Sequence, residues 1–301
     1  MPPTTALRRG GRVDPLEVHE LVHGTGAVIP DPIEFVLSDQ YLDREYLYPR
    51  QATMLKVIFL REDMFTQYDY DVIGEWSDTF RRTGDEGCQP DLLDRMRICR
   101  EEGRPWFREV VNVTGRRGGK GYLGAICGAY VTWHYLHRPG GPQRYYGIDR
   151  DKRLSLLVFA GKKEQATANQ WRDINNVILG APCYTSYISR AQGQSLTLFA
   201  PTDVLRAERL AARGVETESD LATFEILPKE STLMAARGPA AFCQLYDEMA
   251  HVVAVGTTRS AEEVYQSATP SLDQFGYDGF IYEGSSPWQM TGQFYENWLH
   301  S

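Results

Sequence analysis

One segment constrains the fold of this 301-residue chain more than any other. The apolar run at residues 110–113 leads into a glycine-rich loop, TGRRGGKG, that spans residues 114–121, and a long apolar stretch then continues to residue 136. A strand, a glycine-rich loop and a helix in this order form the context that a phosphate-binding loop requires. We therefore expect a strand at 110–113 and a crossover helix at 121–136.

The chemistry of this loop suits a nucleoside triphosphate. Its glycines let backbone N–H groups curl around phosphates, the helix start adds its dipole, and Lys120 supplies a positive charge. The residues predicted to bind ATP here are Gly115, Arg116, Arg117, Gly118, Gly119, Lys120 and Gly121. The match to the usual motif is incomplete, because Thr114 stands at the first glycine position and Gly121 replaces the hydroxyl residue that ligates Mg²⁺. A glycine-rich turn before a buried helix is the alternative.

A pair of acidic residues, Asp247 and Glu248, follows the apolar run 242–246. At the carboxyl end of a buried strand, the aspartate would help to hold Mg²⁺ and the glutamate would deprotonate the water that attacks the γ-phosphate. Since Gly121 offers no oxygen, Asp247 has to carry more of the orientation of the metal. An Asp-Glu pair alone is more often a solvated turn.

A third apolar run, 280–282, is followed by the small hydroxyl residues Ser285 and Ser286 and by Pro287. The two serines have a structural alternative as the N-cap of a helix that starts with Pro287.

The chain alternates short apolar runs with helical or loop segments, which predicts an α/β fold. Apolar runs without strict alternation suit strands covered on both faces, as in a mostly parallel central sheet flanked by helices. The expected strands are 110–113, 154–159, 196–199, 224–227, 242–246 and 280–282. Residues 81–89 are predicted to be a polar loop.

Composition limits the domain plan and the function classes. The proline- and glycine-rich start predicts an irregular N-terminal arm over 1–40, followed by one domain over 41–301. No run approaches the roughly 20 apolar residues of a membrane span. The net charge of −8 argues against a surface coated in basic residues for tight DNA binding, so any DNA contact must be local.

Taken in order, these motifs resemble the ATPase domain of the large terminase subunit of tailed bacteriophages, over about residues 41–301. The resemblance implies a P-loop NTPase of the additional-strand, RecA-like class that uses ATP and Mg²⁺. In this family an arginine stands four residues before the lysine, as Arg116 does. The resemblance therefore implies that Arg116 is a catalytic arginine finger, and that Lys120 and Glu248 are the other catalytic residues. As an alternative, Arg116 and Arg117 are a solvated basic pair.

The same resemblance assigns two further groups. The segment Tyr48-Pro49-Arg50-Gln51 is similar to the adenine-binding segment of the family, so Arg50 and Gln51 are expected to contact ATP, although Gln51 also suits a helix start. Ser285 and Ser286 correspond to the coupling motif, which senses the γ-phosphate.

The implied function is ATP hydrolysis that drives double-stranded viral DNA into the procapsid. The expected partners are double-stranded DNA, the portal protein, the small terminase subunit and further copies in a homo-oligomeric ring. The expected location is the cytoplasm of the infected bacterium and, during packaging, the portal vertex. The nuclease domain of the family is expected to be absent from this chain, and no nuclease activity is expected from it.

Two other functions stay open at this point. A helicase or DNA-repair ATPase would share the P-loop fold. A nucleotide-gated binding module would bind ATP through the same loop without turnover, and a phosphate-release assay separates the two behaviours.

Overall fold

The computed structural model describes residues 29–83, 91–160, 170–192, 195–214, 221–230, 240–251, 260–287 and 290–300. Its α-helices are α1 (Pro32–Leu37), α2 (Pro49–Ile58), α3 (Gln67–Thr83), α4 (Leu92–Glu101), α5 (Lys120–Leu136), α6 (Pro142–Tyr145), α7 (Gln170–Leu179), α8 (Pro201–Ala211), α9 (Ala261–Ala268) and α10 (Gln293–His300). Its strands are β1 (Glu109–Val113), β2 (Leu154–Ala160), β3 (Ile188–Gln192), β4 (Ser195–Leu198), β5 (Phe224–Glu230), β6 (Ala240–Asp247) and β7 (Phe280–Ser285).

These strands form one sheet in the order β1-β7-β6-β2-β5-β4-β3. The neighbours from β1 to β5 are all parallel, whereas β4 runs antiparallel to β5 and β3 antiparallel to β4. Strands β2, β6 and β7 are buried along their whole length, which explains why they read as unbroken apolar runs. The predicted α/β fold with a mostly parallel sheet is confirmed.

Strand β7 lies between the strand that precedes the glycine-rich loop and the strand that ends in the acidic pair. It pairs in parallel with β1 on one side and with β6 on the other. This inserted strand is the arrangement that gives the additional-strand class its name. The last residues of all three strands therefore lie at the same edge of the sheet.

The antiparallel edge contains the strand that sequence patterns did not predict. Strand β3, with the sequence ISRAQ, carries no run of apolar residues. It pairs only with β4 in the described sheet, so one of its sides has no neighbouring strand. Such an edge strand needs few apolar side chains, and its sequence signal is correspondingly weak.

The N-terminal part of the domain starts earlier than predicted. Within the expected arm, Pro32–Leu37 forms a helix that Asp31 caps through hydrogen bonds from the N–H groups of residues 33 and 34. Phe35 and Val36 are fully buried in the main core. Residues 29–40 therefore belong to the packed domain, and the rest of the predicted arm, 1–28, lies outside the described residues. The predicted loop at 81–89 also needs correction, because α3 continues to residue 83; residues 84–90 lie outside the description.

Helix α5 packs against the sheet and against α7 through a seam of three glycines, Gly121, Gly124 and Gly128. A Cβ atom on Gly124 would lie 2.6 Å from Tyr282 on β7 and 2.6 Å from Gln170 on α7. A Cβ on Gly128 would lie 3.5 Å from Ile174, one turn further along α7. The seam holds the backbone of α5 close to both neighbours and thereby fixes where this helix starts.

None of the helices in the described part of the chain has both the length and the apolar character needed to cross a bilayer.

Candidate functional site

The carboxyl ends of β1, β7 and β6 meet at one edge of the sheet, and backbone hydrogen bonds join the segments that leave them. Thr114 N–H donates to the carbonyl of Ser285 at 3.2 Å, and Glu248 N–H donates to the carbonyl of Gly284 at 2.8 Å. Ligands of parallel α/β sheets bind at this edge. The loop, the acidic pair and the serines predicted from the sequence therefore lie in a single site.

Lys120 connects the three segments. It is the first residue of α5 and is only 8% exposed. Its Nζ lies 2.9 Å from Glu248 Oε1 and donates a hydrogen bond of 3.0 Å to Ser286 Oγ. A buried ammonium needs such partners, because its desolvation is otherwise costly. The lysine of the predicted phosphate loop is thus in direct contact with one acidic residue and one serine that sequence reasoning placed in the same site.

Glu248 is held as a carboxylate. Its Oε2 accepts hydrogen bonds from Ser286 N–H at 3.3 Å and Ser285 Oγ at 3.4 Å, and His251 Nε2 lies 3.6 Å away. Burial acts to raise the pKa of Glu248, but the hydrogen bonds from Lys120 and Ser286 and the charge of Lys120 outweigh it and lower this pKa below its ordinary value. Glu248 is therefore ionised and partly exposed, and breaking its contact with Lys120 would make it a stronger acceptor for a proton from water.

The backbone of Glu248 is in the left-handed region, with a φ of 52°. A residue with a side chain adopts this conformation at a cost of roughly 1–3 kcal/mol, and such residues concentrate at functional sites. Here the turn directly after β6 aims the side chain at Lys120 and lets the chain enter a short 3₁₀ turn at Met249–His251. Arg117 in the loop also has a positive φ, of 67°.

The loop itself is compact at its glycines. Gly118 N–H donates to the carbonyl of Gly115 at 3.1 Å, and a Cβ on Gly118 would overlap the methyl group of Thr114. Gly119 has a φ of 77°, and a Cβ there would lie 2.6 Å from Gln51 Nε2. The side chain of Gln51 therefore lies beside the loop, and its Oε1 accepts a hydrogen bond from Tyr48 N–H at the start of α2, as the helix-start alternative predicts.

The three predicted arginines are in different situations. Arg116 and Arg117 are exposed on the loop, and neither forms a hydrogen bond or ion pair with the part of the chain that the structure describes. Both guanidinium groups are available for phosphate. Arg50, by contrast, forms an exposed ion pair with Glu75 at 2.5 Å. Any contact of Arg50 with nucleotide has to compete with that pair.

Asp247 is the last residue of β6, is 7% exposed, and stands in register with Gly284 on one side and Ala160 on the other. It also borders a small hollow whose other lining residues come from β2, β6 and α9 and the turn after β6. No cluster of three or more His, Cys, Asp or Glu side chains among the described residues has a metal-binding arrangement. A Mg²⁺ ion carried by phosphates needs only one or two protein carboxylates, so Asp247 fits this role.

Ser285 is buried within β7, and Ser286 follows it. Ser285 Oγ accepts a hydrogen bond from Ala250 N–H at 3.2 Å, while Ser286 Oγ accepts from Lys120. Pro287 is not helical, and the next helix among the described residues, α10, begins at Gln293. The alternative in which these serines cap a helix starting at Pro287 is therefore wrong, and their hydroxyl groups belong to the site.

Sequence reasoning missed several residues that shape the site. Asn112 Nδ2 donates to the hydroxyl of Tyr282 at 2.6 Å, and this hydroxyl donates to the carbonyl of Lys120 at 2.8 Å, which ties β1, β7 and α5 together. Gln170 and Asp173 of α7 lie against Gly121. The sequence shows that position 121 lacks the hydroxyl group that usually binds Mg²⁺. It does not show that α7 is the segment that packs against this position.

No protein-family model matches the chain, and no curated protein sequence matches it. Among solved structures, the chain is similar to a variant of the large terminase ATPase domain of a Thermus phage, with 16% sequence identity and a TM-score of 0.40. The matched part covers 63% of this chain and 64% of that domain.

Proposed function

We propose that this chain is an ATP-hydrolysing motor domain that moves double-stranded viral DNA into a procapsid. One observation carries the hydrolytic part: Lys120 Nζ lies within 3.0 Å of both Glu248 and Ser286. In an ATPase the phosphate-loop lysine, the general base and the phosphate sensor all act at the γ-phosphate, so they have to lie close together. Here Glu248 and Ser286 both contact the ammonium of Lys120. The DNA-packaging part rests on the resemblance of the ordered motifs to large terminases.

In the proposed reaction, the γ-phosphate competes with Glu248 for the ammonium of Lys120. Phosphate oxygens carry more negative charge than one carboxylate, so Lys120 turns toward the nucleotide. Glu248 is then free to orient a water molecule and accept its proton. The backbone N–H groups of the loop and the exposed Arg116 compensate the charge that spreads over the phosphate oxygens in the transition state.

The same contacts can couple hydrolysis to movement. Ser286 donates its N–H to Glu248 and accepts a hydrogen bond from Lys120, so it responds to both groups that change partners during the cycle. Ser285, its neighbour in β7, is bonded to the turn after the acidic pair through Ala250. When phosphate leaves, Lys120 returns to Glu248 and Ser286, and the end of β7 returns with it.

Magnesium belongs to this proposal as the ion that ATP carries into the site. When bound, it neutralises the charge of the β- and γ-phosphate oxygens. We assign its protein ligand, through water, to Asp247, which is the last residue of β6 and lies beside the strand that bears Ser285.

The proposed partners follow from the motor role. They are double-stranded DNA, the portal protein, the small terminase subunit and further copies of the chain in a homo-oligomeric ring. The motor would act in the cytoplasm of the infected bacterium and at the portal vertex.

A phosphate-release assay tests the hydrolytic part. The wild-type protein should hydrolyse ATP in the presence of Mg²⁺, and Lys120→Ala should reduce the rate at least about 100-fold, because the charge on the transferred phosphate is no longer compensated. Lys152→Ala is the matched control, since Lys152 is exposed. A chain that binds ATP without releasing phosphate would instead be a nucleotide-gated binding module.

Packaging requires a separate assay. Purified protein, procapsids with portal, and linear duplex DNA should together protect the DNA from added nuclease only when ATP is supplied, and Lys120→Ala should give no protection. Separation of DNA strands by the protein in the absence of procapsids would favour a helicase and contradict the packaging role.

A further inference from the structure

Gly121 occupies the position at which phosphate loops usually carry a serine or threonine whose hydroxyl binds Mg²⁺. In this structure the space for that side chain is already taken. A Cβ on Gly121 would lie 2.9 Å from Asp173 Oδ2 and 3.2 Å from Gln170 Oε1. Both atoms are oxygens, and both come from α7. The loop has no side-chain oxygen at position 121, and α7 brings the side-chain oxygens of Gln170 and Asp173 next to that position.

The orientation of these oxygens is fixed by α7. Gln170 is the first described residue of the helix and is 1% exposed. Its Nε2 donates to the carbonyl of Gly121 at 3.1 Å, which orients the amide and leaves Oε1 without a donor among the described residues. Asp173 follows one helical turn later, so its side chain lies on the same face.

Neither acceptor has a hydrogen-bond donor among the described residues. Within the described ranges, no hydrogen bond reaches Gln170 Oε1, and the carboxylate of Asp173 takes part in no hydrogen bond or ion pair. Asp173 is half-buried and Gln170 almost fully buried, so both oxygens lie beside the loop with room for a further partner. Two converging oxygens at the start of the phosphate-loop helix suit a hard cation, because Mg²⁺ binds oxygen.

We propose that Asp173, oriented beside Gln170, supplies to the nucleotide-bound Mg²⁺ the oxygen that Gly121 cannot. This inference rests on the proposed ATPase function. Asp173 acts as a metal-positioning residue from outside the loop, and Asp247 holds the ion from the sheet. Because Mg²⁺ retains several of its waters, a carboxylate can position it through one of them.

The competing explanation is purely structural. A carboxylate near the first turn of α5 interacts favourably with the helix dipole and stabilises the fold without any metal. The two explanations differ in what they predict for Mg²⁺. A dipole role changes the unfolding temperature but leaves the Mg²⁺ requirement for nucleotide binding unchanged, whereas a metal-positioning role changes that requirement.

The experiment measures binding of a fluorescent, non-hydrolysable ATP analogue as Mg²⁺ is titrated. Asp173→Asn should raise the Mg²⁺ concentration for half-maximal binding about tenfold, the usual effect of losing an outer-shell metal contact. Affinity in EDTA should stay within about twofold of wild type, because Asp173 is not a phosphate ligand. Asp94→Asn, at an exposed aspartate on α4, is the control and should leave both values unchanged.

A second pair of variants tests whether the source of the oxygen matters. In Gly121→Ser/Asp173→Asn the loop supplies the hydroxyl and α7 no longer supplies a carboxylate, so the Mg²⁺ requirement should return toward that of wild type. Gly121→Ala should raise the requirement with Asp173 still present, since its Cβ displaces the carboxylate. Circular dichroism checks that each variant is folded, and Gly121→Ala replaces Asp173→Asn as the deciding variant if the latter unfolds.

The outcomes separate this inference from the proposed function. If the wild-type protein binds no ATP analogue with or without Mg²⁺, both proposals are wrong. If it binds the analogue in a Mg²⁺-dependent way and the folded Asp173→Asn variant has the wild-type requirement, the ATPase proposal stands and the role of Asp173 is refuted. Electron paramagnetic resonance of Mn²⁺ with the analogue gives an independent readout, in which Asp173→Asn should leave more Mn²⁺ free.

Discussion

Glu248 and Glu283 belong to neighbouring strands, yet the protein treats their carboxyl groups in opposite ways. Glu248 follows β6 and lies beside the Lys120 ammonium, which helps to lower its pKa. Glu283 lies in β7, two residues before Ser285, and has another carboxyl group, that of Glu109, as its neighbour. The comparison shows that burial and neighbouring charges, rather than the residue type, decide the charge of each acid.

The surroundings of Glu283 favour a neutral acid. Its side chain is fully buried, and its Oε1 accepts a hydrogen bond of 2.6 Å from Asn297 on α10. Its Oε2 has no donor in the described structure. Burial, followed by the hydrogen bond with Glu109 and its charge, raises the pKa of Glu283 well above the ordinary value. Glu109 in turn accepts a hydrogen bond from Tyr265 at 2.6 Å.

The two sites lie on opposite faces of β7 because side chains alternate along a strand. Tyr282 points to α5 and the phosphate loop, and Glu283 points to the face where α10 packs. The charged, partly exposed Glu248 lies with Lys120 on the phosphate-loop side. On the other side, Glu283 is buried next to Glu109 and accepts a hydrogen bond from α10.

The largest effect is expected where the charged acid is neutralised. Glu248→Gln should reduce ATP turnover at least about 100-fold, since the general base is lost. Binding of a non-hydrolysable analogue should stay within about threefold, because Lys120 and the loop remain. Single-turnover kinetics and analogue titration measure the two quantities. Wild-type turnover in this variant would show that Glu248 is not the general base, and the functional difference between Glu248 and Glu283 would then be refuted.

The second effect is a dependence of stability on pH at Glu283. A raised pKa means that this acid stabilises the fold fully below the ordinary glutamate pKa and loses that contribution as pH rises toward the folded-state pKa. Glu283→Gln, which keeps a neutral group, should therefore gain stability relative to wild type with rising pH, by up to about 1.4 kcal/mol per pH unit. Urea unfolding at pH 5, 6 and 7 measures the difference; a constant difference would show that Glu283 is ionised in the fold.

A smaller version of the same effect is expected at the neighbouring carboxyl group. Glu109→Gln removes the second-largest cause of the raised pKa but leaves the burial of Glu283 intact. The pH dependence of stability should become shallower than in wild type without disappearing. The same unfolding series tests this, and a slope equal to that of wild type would mean that burial alone keeps Glu283 neutral.

The smallest effect concerns the helix that Glu283 holds. Asn297→Ala removes the hydrogen bond to Oε1 and should cost about 1–3 kcal/mol of stability, because the buried acceptor is then unpaired. Turnover per folded molecule should change little at saturating ATP. Thermal unfolding and the phosphate-release assay test the two statements. Loss of turnover in the folded variant would instead tie α10 to the reaction.

The sequence predicted the parts of the site that strands carry. Runs such as 242–246 are apolar because both faces of β6 are covered, and polar residues that follow parallel strands have to meet at one edge. That reasoning located Lys120, Glu248 and Ser286 together. It could not locate Asp173, because the packing of α7 against α5 depends on shape rather than on any local pattern. It also could not predict the environment of Glu283, because a single sequence does not show that this residue of β7 lies next to Glu109 of β1.

The start of the domain was obscured for a different reason. Prolines and glycines are frequent before residue 40, and they usually indicate irregular chain. Here Pro32 stands at the first position of α1, where proline is favourable because no N–H is required. A helix of six residues also shows too little periodicity to be recognised, although Phe35 and Val36 are central to the core.

The glycine seam of α5 has a mechanical consequence. Where a Cβ would lie 2.6 Å from atoms of both α7 and β7, the gap between the elements is too small for one to slide past the other without a collision. A displacement of α7 should therefore move the start of α5 by a similar amount. In a machine that converts a chemical step into displacement, such a stiff joint would transmit short strokes faithfully.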